Sequence, residues 1–291
     1  SVEFDHADIY ADLESMKLQF KRLVNLVPQS GRIVACVDQT AGHVRECLER
    51  AFCPVESYAL GAEADWNAGD IENVEGETRF RVAFKGAEVA RIRTPLAGRH
   101  NILNSLGAIA IAHGRGIDRE AIEEALLTYR SVRRRLEVKG EAGGVLVVDD
   151  FAHHPTAIRE TIAAARSRWL SNARPGARLW AAVEPRSNTM RTRVFEDVLP
   201  DALAGADTVV FGAVHRSQQL KEEERFSPAR VVAALQKRGR AAEAFASVDE
   251  IVAHLGGAVK RGDVVLVMSN GSFDGLCERL LERLQRREGR R

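Results

Sequence analysis

Cysteine is scarce. The 291 residues hold four, Cys36, Cys47, Cys53 and Cys277, with no C-x-x-C spacing. That excludes a disulfide framework and a thiolate zinc ribbon, and fits reduced thiols in the cytoplasm. Long apolar runs are missing too. None approaches the roughly 20 residues of a membrane span, and the acidic start SVEFDHAD lacks the basic-then-apolar order of a secretory leader. Charge of one sign does not dominate: the net charge is +1, so no overall field recruits nucleic acid or an anionic membrane. The expectation is a cytoplasmic protein acting on small molecules, with no nucleic acid and no membrane as partner. Catalytic signatures are absent as well. There is no nucleophile elbow, no H-E-x-x-H helix, no G-x-G-x-x-G after a strand, and no G-x-x-x-x-G-K-[ST] phosphate loop. A Rossmann-type oxidoreductase is disfavoured on that ground.

What is present reads as a two-domain α/β protein. The 45% apolar and 29% charged fractions are those of a globular chain long enough for two cores. Leu13, Met16, Phe20, Leu23 and Val24 recur on one face of a helix over residues 12–27. RIVACVD (32–38) reads as a buried strand and HVRECLERA as the next helix. Residues 55–95 alternate, as in TRFRVAF and AEVARIRT, which predicts antiparallel hairpins. A helix with Leu103, Leu106, Ala110 and His113 on one side follows TPLAGRHN. Another follows Asp118, its expected N-cap. After a boundary near Arg135, short apolar strands alternate with helices. VLVVDD precedes residues 155–169, RLWAAVEP precedes 195–203, TVVFGAV precedes 227–237, and VVLVMSNG precedes 273–285. That order predicts a mostly parallel sheet covered on both faces. The domains are expected at 1–135 and 136–291, with a flexible hinge over residues 131–136.

In open parallel sheets ligands bind beyond the carboxyl ends of the strands, and polar residues collect at all four of these ends. Asp149, Asp150, His153 and His154 follow the first. Glu184, Arg186, Ser187, Asn188 and Arg191 follow the second. His215 and Arg216 follow the third, and Ser269, Asn270 and Ser272 the fourth. Successive strand residues face opposite ways, so one aspartate at most points into a site, and Asp150, nearer the strand end, is the candidate. A two-His, two-Asp metal cage is disfavoured because the four residues are too crowded in sequence to surround an ion. His154, just before Pro155, has the place of a helix cap, and Ser272 that of a cap or an anion contact. In the first domain Asn101 and Asn104 sit three apart at a helix start. RRRLE (133–137) offers guanidinium groups to phosphate, and His6 lies among acids.

Several of these stretches together resemble one family, the Mur ligases, ATP-dependent amide-bond-forming enzymes of bacterial peptidoglycan synthesis. EFDHAD is similar to their segment after the central-domain Mg²⁺ glutamate, and GRHNILNSLGAIA to their asparagine motif. RRRLE is similar to their nucleotide-binding arginine motif, and DDFAHHPTAIRET to the start of their C-terminal domain. The resemblance implies part of a central ATPase domain followed by a Rossmann-like acceptor-binding domain. The UDP-binding domain, the G-K-T loop and the Mg²⁺ glutamate would then lie before Ser1, so the chain is expected to be a fragment without activity of its own. The paired histidines imply the branch that uses UDP-N-acetylmuramate as carboxyl donor. EPRSNTMR and MSNGSFDGL imply, within it, a recycling ligase whose acceptor is the murein tripeptide L-alanyl-γ-D-glutamyl-meso-diaminopimelate. By the same resemblance ATP would meet Asn101, Arg135 and Asp150, and Mg²⁺ would meet His6. The acceptor would meet His153, Arg186, Asn188, Arg191, Asn270 and Ser272. An alanine-adding ligase and a non-catalytic peptide- or nucleotide-binding module are the alternatives.

Overall fold

The computed structural model describes residues 2–74, 76–170 and 176–289. The chain divides into two compact units, Ser1–Arg130 and Ser131–Arg291. The division falls ahead of Arg135 because hydrogen bonds tie Arg134 and Leu136 into the second unit.

In the first unit, β1 (Ile33–Cys36), β2 (Val55–Ala59), β3 (Trp66–Val74), β4 (Glu77–Phe84) and β5 (Ala87–Thr94) form one sheet in sequence order. The strands β3, β4 and β5 are antiparallel, as expected, but β2 pairs parallel with both β1 and β3. Alternation in β4 buries Thr78, Phe80 and Val82, and Ala83 is buried as well, next to a bulge that leaves Val89 of β5 unpaired. The helices are α1 (Leu13–Asn25), α2 (Ala41–Leu48), α3 (Arg99–Gly114) and α4 (Arg119–Thr128). Asp12 caps α1, accepting from the Ser15 amide at 2.8 Å. Leu23, expected on its inner face, is 59% exposed; Lys17 is buried there instead, held by Glu14 and Glu46. Asp118 stands at the start of α4 without a side-chain cap bond.

In the second unit the strands are β6 (Glu137–Ala142), β7 (Val145–Asp150), β8 (Leu179–Val183), β9 (Thr208–Phe211), β10 (Ala241–Ala244) and β11 (Val264–Met268). Their order is β10-β9-β8-β11-β7-β6, parallel except for the antiparallel edge β6. Each central strand serves two cores. On β8, Leu179, Ala181 and Val183 face one core while Trp180 and Ala182 face the other. On β11, Val264, Leu266 and Met268 join the first core, and Val265 and Val267 the second. Helices α5 (Pro155–Trp169), α6 (Leu199–Leu203) and α7 (Pro228–Lys237) cover the first face, and α8 (Val248–Ala258) and α9 (Leu276–Glu288) the second. Burying each such valine or leucine contributes about 1.5–3 kcal/mol.

Two expected helices begin late. Residues 195–203 split into a 3₁₀ turn, Arg193–Phe195, and α6, with Pro200 confined to the first helical turn. The last helix starts at Leu276 because Phe273, Asp274 and Gly275 are all left-handed, at φ 46, 47 and 71°, and cannot join a right-handed helix. The edge strands β6 and β10 and helix α8 go beyond the elements expected from sequence. No described helix is long and apolar enough to cross a membrane, and the four cysteines are free thiols.

Candidate active site

The chain leaving β8 runs to α6 on one face of the sheet, and the chain leaving β11 runs to α9 on the other. In an open α/β sheet this divergence marks the place of a ligand crevice, between the carboxyl ends of these neighbouring strands. Their register is set at the opposite end. Asp263, 1% exposed, accepts from Arg178 Nη2 at 2.7 Å, Trp180 Nε1 at 2.9 Å and the Lys260 amide at 3.0 Å. Val183 is thereby aligned with Met268, and the next residues, Glu184 and Ser269, meet across the crevice.

Glu184 is buried. One carboxylate oxygen accepts the Ser269 hydroxyl, and the other accepts from Arg186 Nη1 at 3.2 Å. Ser269 Oγ in turn accepts the Gly271 amide at 2.8 Å. Arg186 Nη1 also lies 3.3 Å from His215 Nδ1, and the Arg186 side chain runs so close over Gly271 that a Cβ there would overlap it. The imidazole is placed by the backbone, since the His215 amide donates to Pro185 O at 3.0 Å. Burial and the Arg186 charge hold His215 below the usual imidazole range, while Glu184 opposes them. Asn270 is half-buried with its Oδ1 enclosed and without a hydrogen-bond partner. Ser272 is exposed at the start of the left-handed turn and makes no side-chain cap bond.

Further along the β8 loop, Arg191 Nη2 donates to Asn188 Oδ1 at 2.9 Å and Nη1 to Gln219 Oε1 at 3.2 Å. The structure thus brings Asn188 and Arg191 together. A cavity of about 460 Å³ opens beside this loop at the ends of β9 and β10, lined in part by Arg193, Arg225 and Arg230. Its charge is largely met within the protein: Arg193 and Arg230 pair with Glu196 at 3.6 and 3.4 Å, and Arg225 donates to Leu220 O.

At the end of β7 the polar side chains have partners within the second unit. Asp150 is 4% exposed, and its oxygens accept from the Leu136 amide at 2.8 Å, the Ala152 amide at 2.8 Å and the Thr161 hydroxyl at 3.3 Å. Its partners are those of an internal anchor. Asp149 accepts from Arg134 Nε at 3.0 Å, and burial raises its carboxyl despite that cation. Arg134, at φ 61°, also donates to the Ser269 and Gly271 carbonyls at 2.6 and 2.5 Å, joining the ends of β7 and β11. Sequence reasoning missed it, choosing its neighbour Arg135, which is exposed over the Phe151 ring at 5.6 Å. His153 Nδ1 lies 3.0 Å from Phe151 O. His154 caps α5, accepting from the Thr156 amide at 3.3 Å. The hinge expected over 131–136 is pinned at its second half, where Leu136 is bound to Asp150, Arg134's amide to Glu137 and its carbonyl to the Phe151 amide.

The remaining two candidates lie in the first unit. Asn101 starts α3, where Nδ2 donates to Ala97 O at 2.7 Å, while Asn104 is exposed. Arg99 ties this helix start to Asp38 at 2.8 Å and to Leu60 O at 2.7 Å, beyond the ends of β1 and β2. His6 is exposed, with φ 53°. Among the described residues no three His, Cys, Asp or Glu side chains converge as a metal site.

Two family models match this arrangement, the Mur ligase middle domain over residues 1–112 and the Mur ligase, glutamate ligase domain over residues 134–271. The chain belongs to the Mur ligase family. It is 35% identical over 98% of its length to the UDP-N-acetylmuramate–L-alanyl-γ-D-glutamyl-meso-2,6-diaminoheptandioate ligase of Haemophilus influenzae, of which it covers 59%. It is 30% identical over 97% of its length to the UDP-N-acetylmuramate–L-alanine ligase of Caldanaerobacter subterraneus, again covering 59%. The crystal structure of a murein peptide ligase from Psychrobacter arcticus matches at a TM-score of 0.66 and 29% identity, covering 95% of this chain and 56% of that one. The chain therefore spans well under two thirds of the length of these Mur ligases.

Proposed function

We propose that this chain forms the acceptor-binding part, and a portion of the nucleotide-binding part, of an ATP-dependent ligase. That ligase would join UDP-N-acetylmuramate to L-alanyl-γ-D-glutamyl-meso-diaminopimelate in peptidoglycan recycling. The observation carrying this reading is the Arg186 cradle at the β8–β11 crevice. A preorganised guanidinium beside a loop bearing Arg191 and Asn188 suits a peptide rich in carboxylates, whereas L-alanine offers only one. The higher identity to the tripeptide ligase than to the alanine ligase points the same way.

In such a reaction a donor carboxyl becomes an acyl phosphate, and the acceptor amine displaces phosphate to leave an amide. The work asked of the protein is positioning and charge neutralisation, which needs no nucleophilic side chain. Arg186 and Arg191 hold acceptor carboxylates. Asn270 and Ser272 line the same crevice, and His153 stands at the end of the neighbouring strand β7. Arg135, exposed over Phe151, is suited to a phosphate of ATP, and Asn101 to the nucleotide from the first unit. Asp150 acts by holding Leu136, next to Arg135, in place. His6 is a single imidazole with no converging ligands among the described residues, so no step is assigned to Mg²⁺ here.

The test is phosphate release by the ligase that carries this chain, with UDP-N-acetylmuramate, ATP and Mg²⁺, and either tripeptide or L-alanine as acceptor. Tripeptide-dependent release is expected; release driven equally well by L-alanine would refute the recycling assignment. The chain by itself, which has no phosphate loop, is expected to give no acceptor-dependent turnover.

A further inference from the structure

We infer that His215 is a positioning residue that aims Arg186 at the acceptor, doing so as a neutral imidazole whose Nδ1 accepts a hydrogen bond from the guanidinium. The inference rests on the acceptor reading of the crevice given above. Arginine has five N–H donors and no acceptor, so a contact between Arg186 Nη1 and His215 Nδ1 has one consistent polarity. The lone pair must sit on Nδ1 and the ring proton on Nε2. A second proton on the ring would convert this hydrogen bond into a repulsion between two cations.

The surroundings favour that single state. His215 and Glu184 share the same Arg186 nitrogen, at 3.3 and 3.2 Å, so the guanidinium is held between a neutral acceptor and a carboxylate. Glu184 is itself fixed by Ser269, and the arginine stem lies along Gly271, which leaves it little room to swing toward the sheet. The charges acting on His215 include Arg186, Arg216 and Arg191, with the Glu184 carboxylate opposing them. Burial first, and then these cations against Glu184, keep the ring neutral below the ordinary imidazole midpoint. Nη1 is occupied by these two partners, which leaves Nη2 as the guanidinium nitrogen for the acceptor. The recognition this sets is for a planar carboxylate met at one fixed angle.

Two measurements test it. The first is nitrogen-detected NMR of the histidine rings. His215 is expected as the Nε2–H tautomer at neutral pH, with a midpoint below about 6.5 that rises in Arg186→Ala. An Nδ1–H tautomer, or a ring indifferent to Arg186→Ala, overturns the inference whatever the substrate proves to be. The second is tripeptide affinity against pH. Affinity of the unaltered protein should fall as the pH drops through the His215 midpoint. His215→Ala should weaken binding about tenfold at neutral pH, the effect of losing one charged hydrogen bond. His215→Gln, whose amide oxygen accepts but does not titrate, should restore binding and flatten the pH profile. If Arg186→Ala binds the tripeptide normally, the acceptor reading fails while the tautomer result stands. If Arg186→Ala binds weakly but both His215 variants match the unaltered protein at every pH, the positioning role fails alone.

Discussion

Replacing Asp150 by asparagine separates an internal anchor from a ligand contact. The two carboxylate oxygens of Asp150 accept different backbone amides, Leu136 on Oδ2 and Ala152 on Oδ1, each at 2.8 Å, with Thr161 as a third, longer donor at 3.3 Å. Asparagine keeps the shape but has one carbonyl oxygen, so one of those amides must face an NH₂ group. At 4% exposure water cannot make up the loss. Leaving one buried donor unsatisfied costs about 1–3 kcal/mol. For a unit of this size each kcal/mol lowers the midpoint by roughly 2–4 °C, so a fall on the order of 2–12 °C is expected. The assay is thermal unfolding followed by near-UV circular dichroism, with Trp180 reporting on the second unit and Trp66 on the first. Only the second-unit transition should move. Thr161→Val, which removes the longest of the three contacts, should move it less. An unchanged midpoint combined with weakened nucleotide binding would refute the anchor role and support the ribose contact.

Three further outcomes follow from the same geometry. Gly271→Ala should displace the Arg186 side chain, a flexible group, so thermal stability should hold while tripeptide affinity drops roughly 10- to 100-fold, the range for losing a charged hydrogen bond; unchanged affinity in calorimetry would count against the cradle. Glu46 is held down to about 2 by hydrogen bonds from Lys17 and Lys21, so its stabilising contribution is full above the ordinary carboxylate range and lost as pH falls through about 2. Glu46→Gln should therefore lower the melting temperature at pH 7, and the gap to the unaltered protein should close on acidification; a gap constant from pH 7 to pH 2 would contradict the pairing. In hydrogen exchange, the amides of Arg134, Leu136 and Phe151 should be protected and those of exposed residues 131–133 should exchange fast. Uniform exchange across 131–136 would show that the bonds to Asp150 and Glu137 do not hold the segment.

How legible these features are depends on how local their causes are. The strands β7, β8, β9 and β11 can be read from sequence because both faces are covered, which demands unbroken apolar runs such as VLVV and VVLVM. The edge strands β6, EVKGEA, and β10, AAEA, carry charge, glycine and alanine, and take their extended form from the strand beside them. The strand-end rule found Glu184, Arg186, His215 and Ser269 as a group. It could not say that Arg186 bonds both Glu184 and His215, because that depends on the β8–β11 and β8–β9 registers. The anchoring of Asp150 is illegible for a similar reason. Its burial is completed by Thr161 on α5 and by Leu136 before β6, and neither docking is visible in VLVVDD. Within RRRLE, the left-handed turn at Arg134 decides which guanidinium points inward, and three adjacent arginines give no hint of it.

The most direct test of the acceptor site is calorimetric titration of this chain with L-alanyl-γ-D-glutamyl-meso-diaminopimelate and, in parallel, with L-alanine, each repeated on Arg186→Ala. Saturable binding of the tripeptide that the variant loses, with no binding of L-alanine, is the expected result. Tripeptide binding that survives Arg186→Ala, or L-alanine binding of equal strength, would contradict it.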